Sequence, residues 1–244
     1  MTPRPPPRTQ QGISLLTVLL IMVLSILLAL WASRTALIHE MVVGNDVDYQ
    51  RAFEAAQAML QDAELDIRGE RADGSACTPV AGDSDVCRTG TQAWFVDTDS
   101  DLTPLLTLLD NQTATGCIDG ICRKRVGPQD FWRDSSLLPQ MLAQNTSSRA
   151  LVGARYGQYT GAQTGNYSNP ILKERAQGKG AWYWVEVMPY DSSYSNLLTE
   201  PTVPTFLLNL RPQVVYRITA IARGLKPGSQ VVLQSTYVRQ KVKD

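Results

Sequence analysis

The sequence predicts an α+β fold: one long N-terminal helix, its outer half packed on a C-terminal antiparallel sheet, with a loop-rich, disulfide-containing insert between them. Three observations carry that expectation. An uncharged apolar run begins at Ile13 and passes into a helical pattern that lasts to Arg68. Three segments rich in aromatic and β-branched residues close the chain, and four cysteines punctuate the middle.

The helix comes first. Residues 9–33 carry no charge, with Arg4 and Arg8 before them and Arg34 after. At about 1.5 Å per residue, the roughly 20 apolar residues of 13–32 reach about 30 Å, enough to cross a bilayer. The basic leader then stays cytoplasmic, and everything after Arg34 lies outside. A secretory signal peptide would carry a small-residue cleavage site after the run, and Trp31-Ala32-Ser33-Arg34 is a poor one.

Beyond Arg34, Leu37, Met41, Val47, Phe53, Ala56, Met59, Leu60, Ala63 and Ile67 recur at helical spacing. The polar residues Glu54, Gln57, Gln61, Asp62 and Arg68 fall between them. A helix over residues 13–68 is about 80 Å long. Gly44-Asn45 is its weak point, a candidate bend or melted turn, because Gly costs about 1 kcal/mol relative to Ala. Gly69 is a natural stop.

Residues 70–180 are rich in Gly, Asp, Ser, Thr and Asn and poorly periodic, which predicts loops and short helices, two of them over 101–109 and 135–143. The cysteines Cys77, Cys87, Cys117 and Cys122 all lie beyond the apolar run, an even count that suggests disulfides formed in an oxidising compartment. Of the three pairings, the local one is expected: Cys77 with Cys87, and Cys117 with Cys122 across the Asp119-Gly120 turn. CxxC-like spacing and histidine partners are missing, so zinc is not expected. Asp97-Thr98-Asp99-Ser100-Asp101 alternates carboxylates as an oxygen-ligand loop does, yet Leu102 and Leu108 stand where an EF-hand needs Gly and an acid. A solvated turn whose aspartates cap the next helix is the expected reading, with calcium at Asp97, Asp99 and Asp101 as the alternative. Arg123-Lys124-Arg125 reads as a solvated basic run. His39 is the one histidine and lies far in sequence from any nucleophile, so neither Ser-His nor Cys-His catalysis has its base, and neither a catalytic residue nor a cofactor is expected.

Residues 182–187, Trp-Tyr-Trp-Val-Glu-Val, form a strand pattern bounded by Gly178-Lys179-Gly180 and Pro189. Residues 214–223 and 230–238 make an antiparallel hairpin about the turn 224–229. The connection 190–212, with Pro201, Pro204 and Pro212, reads as an ordered surface loop. With 244 residues, 43% hydrophobic, the chain supports one moderate core beside its helix. Lys+Arg and Asp+Glu both total 23, and that balance does not advertise a nucleic acid or an acidic substrate.

A short basic leader ending in Gly12, followed directly by an apolar run, resembles the signal of type IV prepilins. The resemblance implies cleavage between Gly12 and Ile13 by a prepilin peptidase, with Ile13 the methylated mature N-terminus. Gln10-Gln11-Gly12-Ile13-Ser14-Leu15-Leu16, residues 33–41, Gly44-Asn45-Asp46 and Ala52-Phe53-Glu54-Ala55-Ala56 are similar to the N-terminal region of PilX-type minor pilins. Residues 216–220 and 231–237 resemble the closing hairpin of the same family. Major pilins carry Glu at the fifth mature position, where this chain has Thr17. An intramembrane carboxylate is costly without a partner, and its absence suits a subunit at a filament tip better than one stacked along the shaft.

The resemblance divides the chain into a leader (1–12), a transmembrane bundle half of the helix (13–33), its outer half (34–69), the insert (70–180) and the sheet of a pilin-like head (181–244). It implies a minor pilin that helps initiate and cap type IV pilus assembly, with Leu16, Thr17, Leu20, Leu24 and Leu27 packing in the helix bundle, where close approach decides association. Implied partners are minor pilins of the PilV, PilW, FimU and PilE kinds and a PilY-type tip adhesin. Implied locations are the inner membrane before assembly, with the head periplasmic, and the pilus tip after it. Two alternatives stand beside this reading: a tip pseudopilin of a type II secretion system, and a single-pass anchored periplasmic binding module.

Overall fold

The computed structural model describes residues 13–79, 81–145, 149–162, 169–190 and 212–239. Two compact units emerge, residues 1–47 and 48–244. Helix α1 (Ile13–Arg68) contributes to both.

In the first unit α1 is helical from Ile13 onward, and its side chains from Ser14 to Val43 are solvent-facing apart from the half-buried Thr35. The hydroxyls on this apolar stretch satisfy themselves locally. Thr17 Oγ1 donates to Ser14 O at 2.9 Å and Thr35 Oγ1 to Trp31 O at 2.9 Å, so neither hydroxyl needs water or a neighbour. Helical structure also continues through Gly44-Asn45, so the melted turn given as one expectation there does not form. A single Gly costs only about 1 kcal/mol and keeps its N–H, unlike Pro, so the ladder continues across it.

The second unit opens at Asp48, whose Oδ1 and Oδ2 accept the backbone N–H groups of Leu225 and Lys226 at 2.9 and 3.1 Å. From there α1 turns Ala52, Ala55, Ala56, Met59, Ala63 and Ile67 inward, a stripe at i+3 and i+4 spacing. Four alanines in that stripe leave room for bulky sheet residues to approach the helix backbone. The helix ends at Gly69, with φ 68°, whose N–H donates to Asp66 O at 3.1 Å while Glu70 N–H donates to Leu65 O at 2.9 Å. This is a Schellman stop, at the glycine expected to supply it.

The sheet has five strands in chain order: β1 (Cys117–Ile118), β2 (Ile121–Arg123), β3 (Ala181–Pro189), β4 (Val214–Arg223) and β5 (Gln230–Tyr237). The β3–β4–β5 meander is antiparallel, with Val185 opposite Ile218 and Ile218 opposite Ser235. The two short strands were not expected, since the insert was read as loops and helices. Asp119 and Gly120 both take positive φ, 51° and 80°, the twist of a two-residue type I′ turn. That turn aligns β2 in parallel with β3, pairing Ile121 with Val185. Two strands of two and three residues carry too little periodicity to stand out in sequence.

Both faces of β3 are therefore covered, and its first seven residues are all buried. One face, with Tyr183, Val185, Val187, Tyr216, Ile218 and Ala220, meets the alanine-rich stripe of α1 in the main core. The other face, with Trp182, Trp184 and Ile221, is covered by Phe131, Met141, Leu142 and the Cys117–Cys122 bridge. Phe131 meets Trp184 edge to face at 5.0 Å between centroids. Helix α2 (Asp99–Asp110) matches the helix expected over 101–109, whereas the one expected over 135–143 shortens to α3 (Leu138–Met141). A further short helix, α4 (Pro170–Lys173), precedes β3. Tyr190 N–H donates to Gln213 O at 2.9 Å, extending the β3–β4 ladder across the ends of the long connection, of which 191–211 lie outside the described residues.

Candidate functional site

Two features stand out as sites: the apolar half of α1 and the way the insert is locked onto its other half. Along the first, Leu16, Leu20, Leu24 and Leu27 recur at helical spacing and are all exposed. Among the described residues, one helix is long and apolar enough to cross a membrane, and this run is its apolar part. Exposed leucines in such number are costly in water, about 1.5–3 kcal/mol for each large side chain, so the run needs lipid or other helices around it. Gly12 lies outside the described residues, and Ile13 is the first residue of α1.

The lock was not anticipated. Asp62, grouped in sequence with the polar residues between stripe positions, is only 2% exposed, and Asp66 one turn on is 7% exposed. Arg88 donates to Asp66 through Nε at 2.8 Å and Nη2 at 2.6 Å, a bidentate fork, and the Tyr183 hydroxyl donates to Asp66 Oδ2 at 2.7 Å. The guanidinium sits 3.9 Å from the Tyr159 ring centroid and donates to Asp119 O at 3.0 Å. Asp119 in turn accepts from Arg149 Nη2 at 2.9 Å and Gln92 N at 2.9 Å, and Arg149 Nε reaches Asp85. Burial works against the charge on Arg88, but the Asp66 carboxylate beside it outweighs burial and raises its pKa.

The disulfides place this network. Cys77–Cys87 closes a short loop with its Cα atoms 5.5 Å apart, and Cys117–Cys122 bridges facing positions of β1 and β2 with Cα atoms 4.0 Å apart. Both are the local pairings expected from the spacing. Arg88 directly follows Cys87, and both adopt positive φ, 60° and 56°, an uncommon backbone for non-glycine residues. The same hairpin that carries Cys117 and Cys122 carries Asp119 in its turn. One disulfide thus delivers the arginine, the other the aspartate that steadies its neighbours. Asp62 and Asp66, four residues apart and in phase with Met59 and Ala63, were the available signal in sequence.

The remaining candidate residues find ordinary roles. Asp101 accepts from the N–H and hydroxyl of Thr98 at 2.9 and 2.8 Å, Asp99 accepts from Gln213 N at 2.9 Å, and Asp97 pairs with Arg239. Asp101 thus caps the start of α2, as the capping reading expects, whereas Asp97 and Asp99 bond partners far along the chain. In the basic run, Arg123 pairs with Asp110, while the Arg125 guanidinium lies 5.0 Å from the Phe131 ring centroid. Arg123 and Lys124 are exposed there, and Arg125 is half-buried.

The architecture defines a class: a bilayer-length apolar helix whose continuation forms the spine of a disulfide-bonded α+β head. The family model for the C-terminal part of type IV pilus assembly protein PilX matches residues 109–239, more than half of the chain. The chain belongs to the PilX family of type IV pilus assembly proteins. No curated protein matched it, and no solved structure did. Family membership makes it a pilus assembly component with other pilus components as partners.

Proposed function

We propose that the chain is a minor pilin that helps initiate and cap type IV pilus assembly within a tip complex. In this reading the leader 1–12 is removed after Gly12, and Ile13 becomes the methylated N-terminus. Residues 13–33 lie in the inner membrane with the head periplasmic, then enter the helix bundle of the filament tip. Leu16, Thr17, Leu20, Leu24 and Leu27 pack there against the helices of PilV-, PilW-, FimU- and PilE-type subunits, and a PilY-type adhesin joins the head. Beyond residue 33 the chain divides functionally into the outer helix half (34–69), the insert (70–180) and the sheet (181–244).

The observation that supports a tip position is Thr17. Threonine carries no carboxylate to seek the terminal amine of a neighbour, and its hydroxyl is spent on Ser14 O. A shaft subunit stacked by such a pair needs the carboxylate. Intact-mass spectrometry of the full chain expressed with a prepilin peptidase tests the processing: the expected product begins at Ile13 with one added methyl group. An intact Met1, or a cut near Ser33, overturns it. Co-purification of the full chain in detergent with each candidate minor pilin then tests the assembly, and failure to bind any pilus component defeats the tip assignment.

A further inference from the structure

We propose that Asp62 is a pH-responsive latch: its buried carboxyl holds residues 156–162 against α1, and that loop opens more readily as pH rises. The carboxyl lies on the core-facing side of α1. Its Oδ2 accepts Gly157 N–H at 2.8 Å, and the Thr160 hydroxyl bonds Oδ1, so both oxygens are committed to this one loop. Thr160 also accepts Ala162 N–H at 3.3 Å, which carries the hold to the end of the described loop. Asp62 makes no ion pair among the described residues, whereas Asp66, one turn on, takes both Arg88 and Tyr183. Two buried carboxylates therefore share a helix face with one bidentate arginine between them.

The groups around Asp62 leave its charge poorly compensated. Asp66 on α1 repels it, while Tyr156 in the loop and Tyr183 on β3 are neutral. Arg88 is committed to Asp66 and stacked on Tyr159. Arg155, at the loop's start, is turned to the other side of the sheet, 3.9 Å from the Trp182 ring centroid, and donates to Lys179 O at 2.7 Å. Arg175, beyond α4, acts favourably on Asp62, and its Nη2 donates to Tyr156 O at 3.0 Å. Burial, reinforced by Asp66, pushes the Asp62 carboxyl up to about 7 despite the Thr160 and Gly157 hydrogen bonds.

The sign follows from linkage. Solvated by opening, the carboxyl returns to about 3.9, so between about pH 4 and about pH 7 opening releases a proton and becomes up to tenfold easier per pH unit. Above that window both states are ionised and the effect levels off. Ala154 marks the near limit of the opening, since it stays paired with Tyr183 through N–H and C=O at 2.9 and 3.0 Å, while opening lifts the buried Tyr159 ring from Arg88 and breaks the Cys87 N–H bond to Tyr159 O at 2.9 Å.

Hydrogen exchange with mass spectrometry on the full chain in detergent micelles, from pH 4.5 to 8.5 and corrected for the intrinsic pH dependence of exchange, is the test. Protection of peptides spanning 156–162 is expected to fall, by up to tenfold per pH unit, toward pH 7 and then level off. In Asp62→Asn, which keeps the acceptor for Gly157 without a proton to lose, protection is expected to stay flat. Arg175→Met removes the favourable charge and is expected to carry the fall to higher pH before it levels off. A flat wild-type profile, a fall of equal size in Asp62→Asn, or a profile unmoved by Arg175→Met overturns the proposal. The wild-type and Arg175→Met profiles decide it even if Asp62→Asn does not fold.

Discussion

A single arginine decides how the insert meets the helix. Arg88 and Asp66 have side chains only 7% and 3% exposed, so their net contribution to stability is small compared with the cost of separating them. Replacing Arg88 by Met leaves Asp66 charged, buried and held by Tyr183 alone. The expected loss is about 3–5 kcal/mol, read as a lower urea midpoint with an unchanged m-value. Gly120 is a second such point: with φ 80° and a Cβ that would lie 2.9 Å from Ala154 Cβ, it has no room for a side chain. Gly120→Ala is expected to destabilise the head by about 1–3 kcal/mol, measured in the same titration.

At the scale of elements, the disulfide loops act as presenters more than as clamps. Removing Cys77–Cys87 by a double Ser substitution loses about 2–3 kcal/mol of loop-closure stabilisation and also frees the backbone that aims Arg88. The expected outcome is a loss larger than that of removing Cys117–Cys122, whose hairpin keeps the Asp119-Gly120 turn and its pairing to β3. Urea titrations of the two double variants compare them directly, and equal losses would defeat the presenting role. For the proposed membrane span of α1, Leu20→Arg is expected to cost about 2.5–3.5 kcal/mol in insertion. Carbonate extraction of membranes reads that as a shift of the full chain toward the soluble fraction.

At the scale of the whole molecule, the chain separates into an apolar helical unit and a head that begins at Asp48. The head's core uses only residues from Ala52 onward, so a fragment of residues 48–244 is expected to unfold cooperatively in urea without detergent. A broad, non-cooperative transition would show that residues before Asp48 are needed for the fold. The family match, residues 109–239, lies within this head and holds the last two residues of α2, the five strands of the sheet and the second disulfide.

Periodicity and composition by themselves determined the extent of α1, its stop at Gly69, the three long strands, the two local disulfides and the capping of α2 from within the 97–101 turn. Each is a short-range consequence of residue type: helical or alternating spacing, a glycine able to take positive φ, or cysteines close in sequence. Only the tertiary structure decided that Asp62 and Asp66 face inward, that Arg88 meets one of them, and that the Cys117–Cys122 hairpin joins the sheet in parallel with β3. Those outcomes depend on partners up to 117 residues apart, as in the Tyr183–Asp66 hydrogen bond. A buried charge becomes tolerable only when such a distant partner arrives, and local propensity carries no record of that arrival.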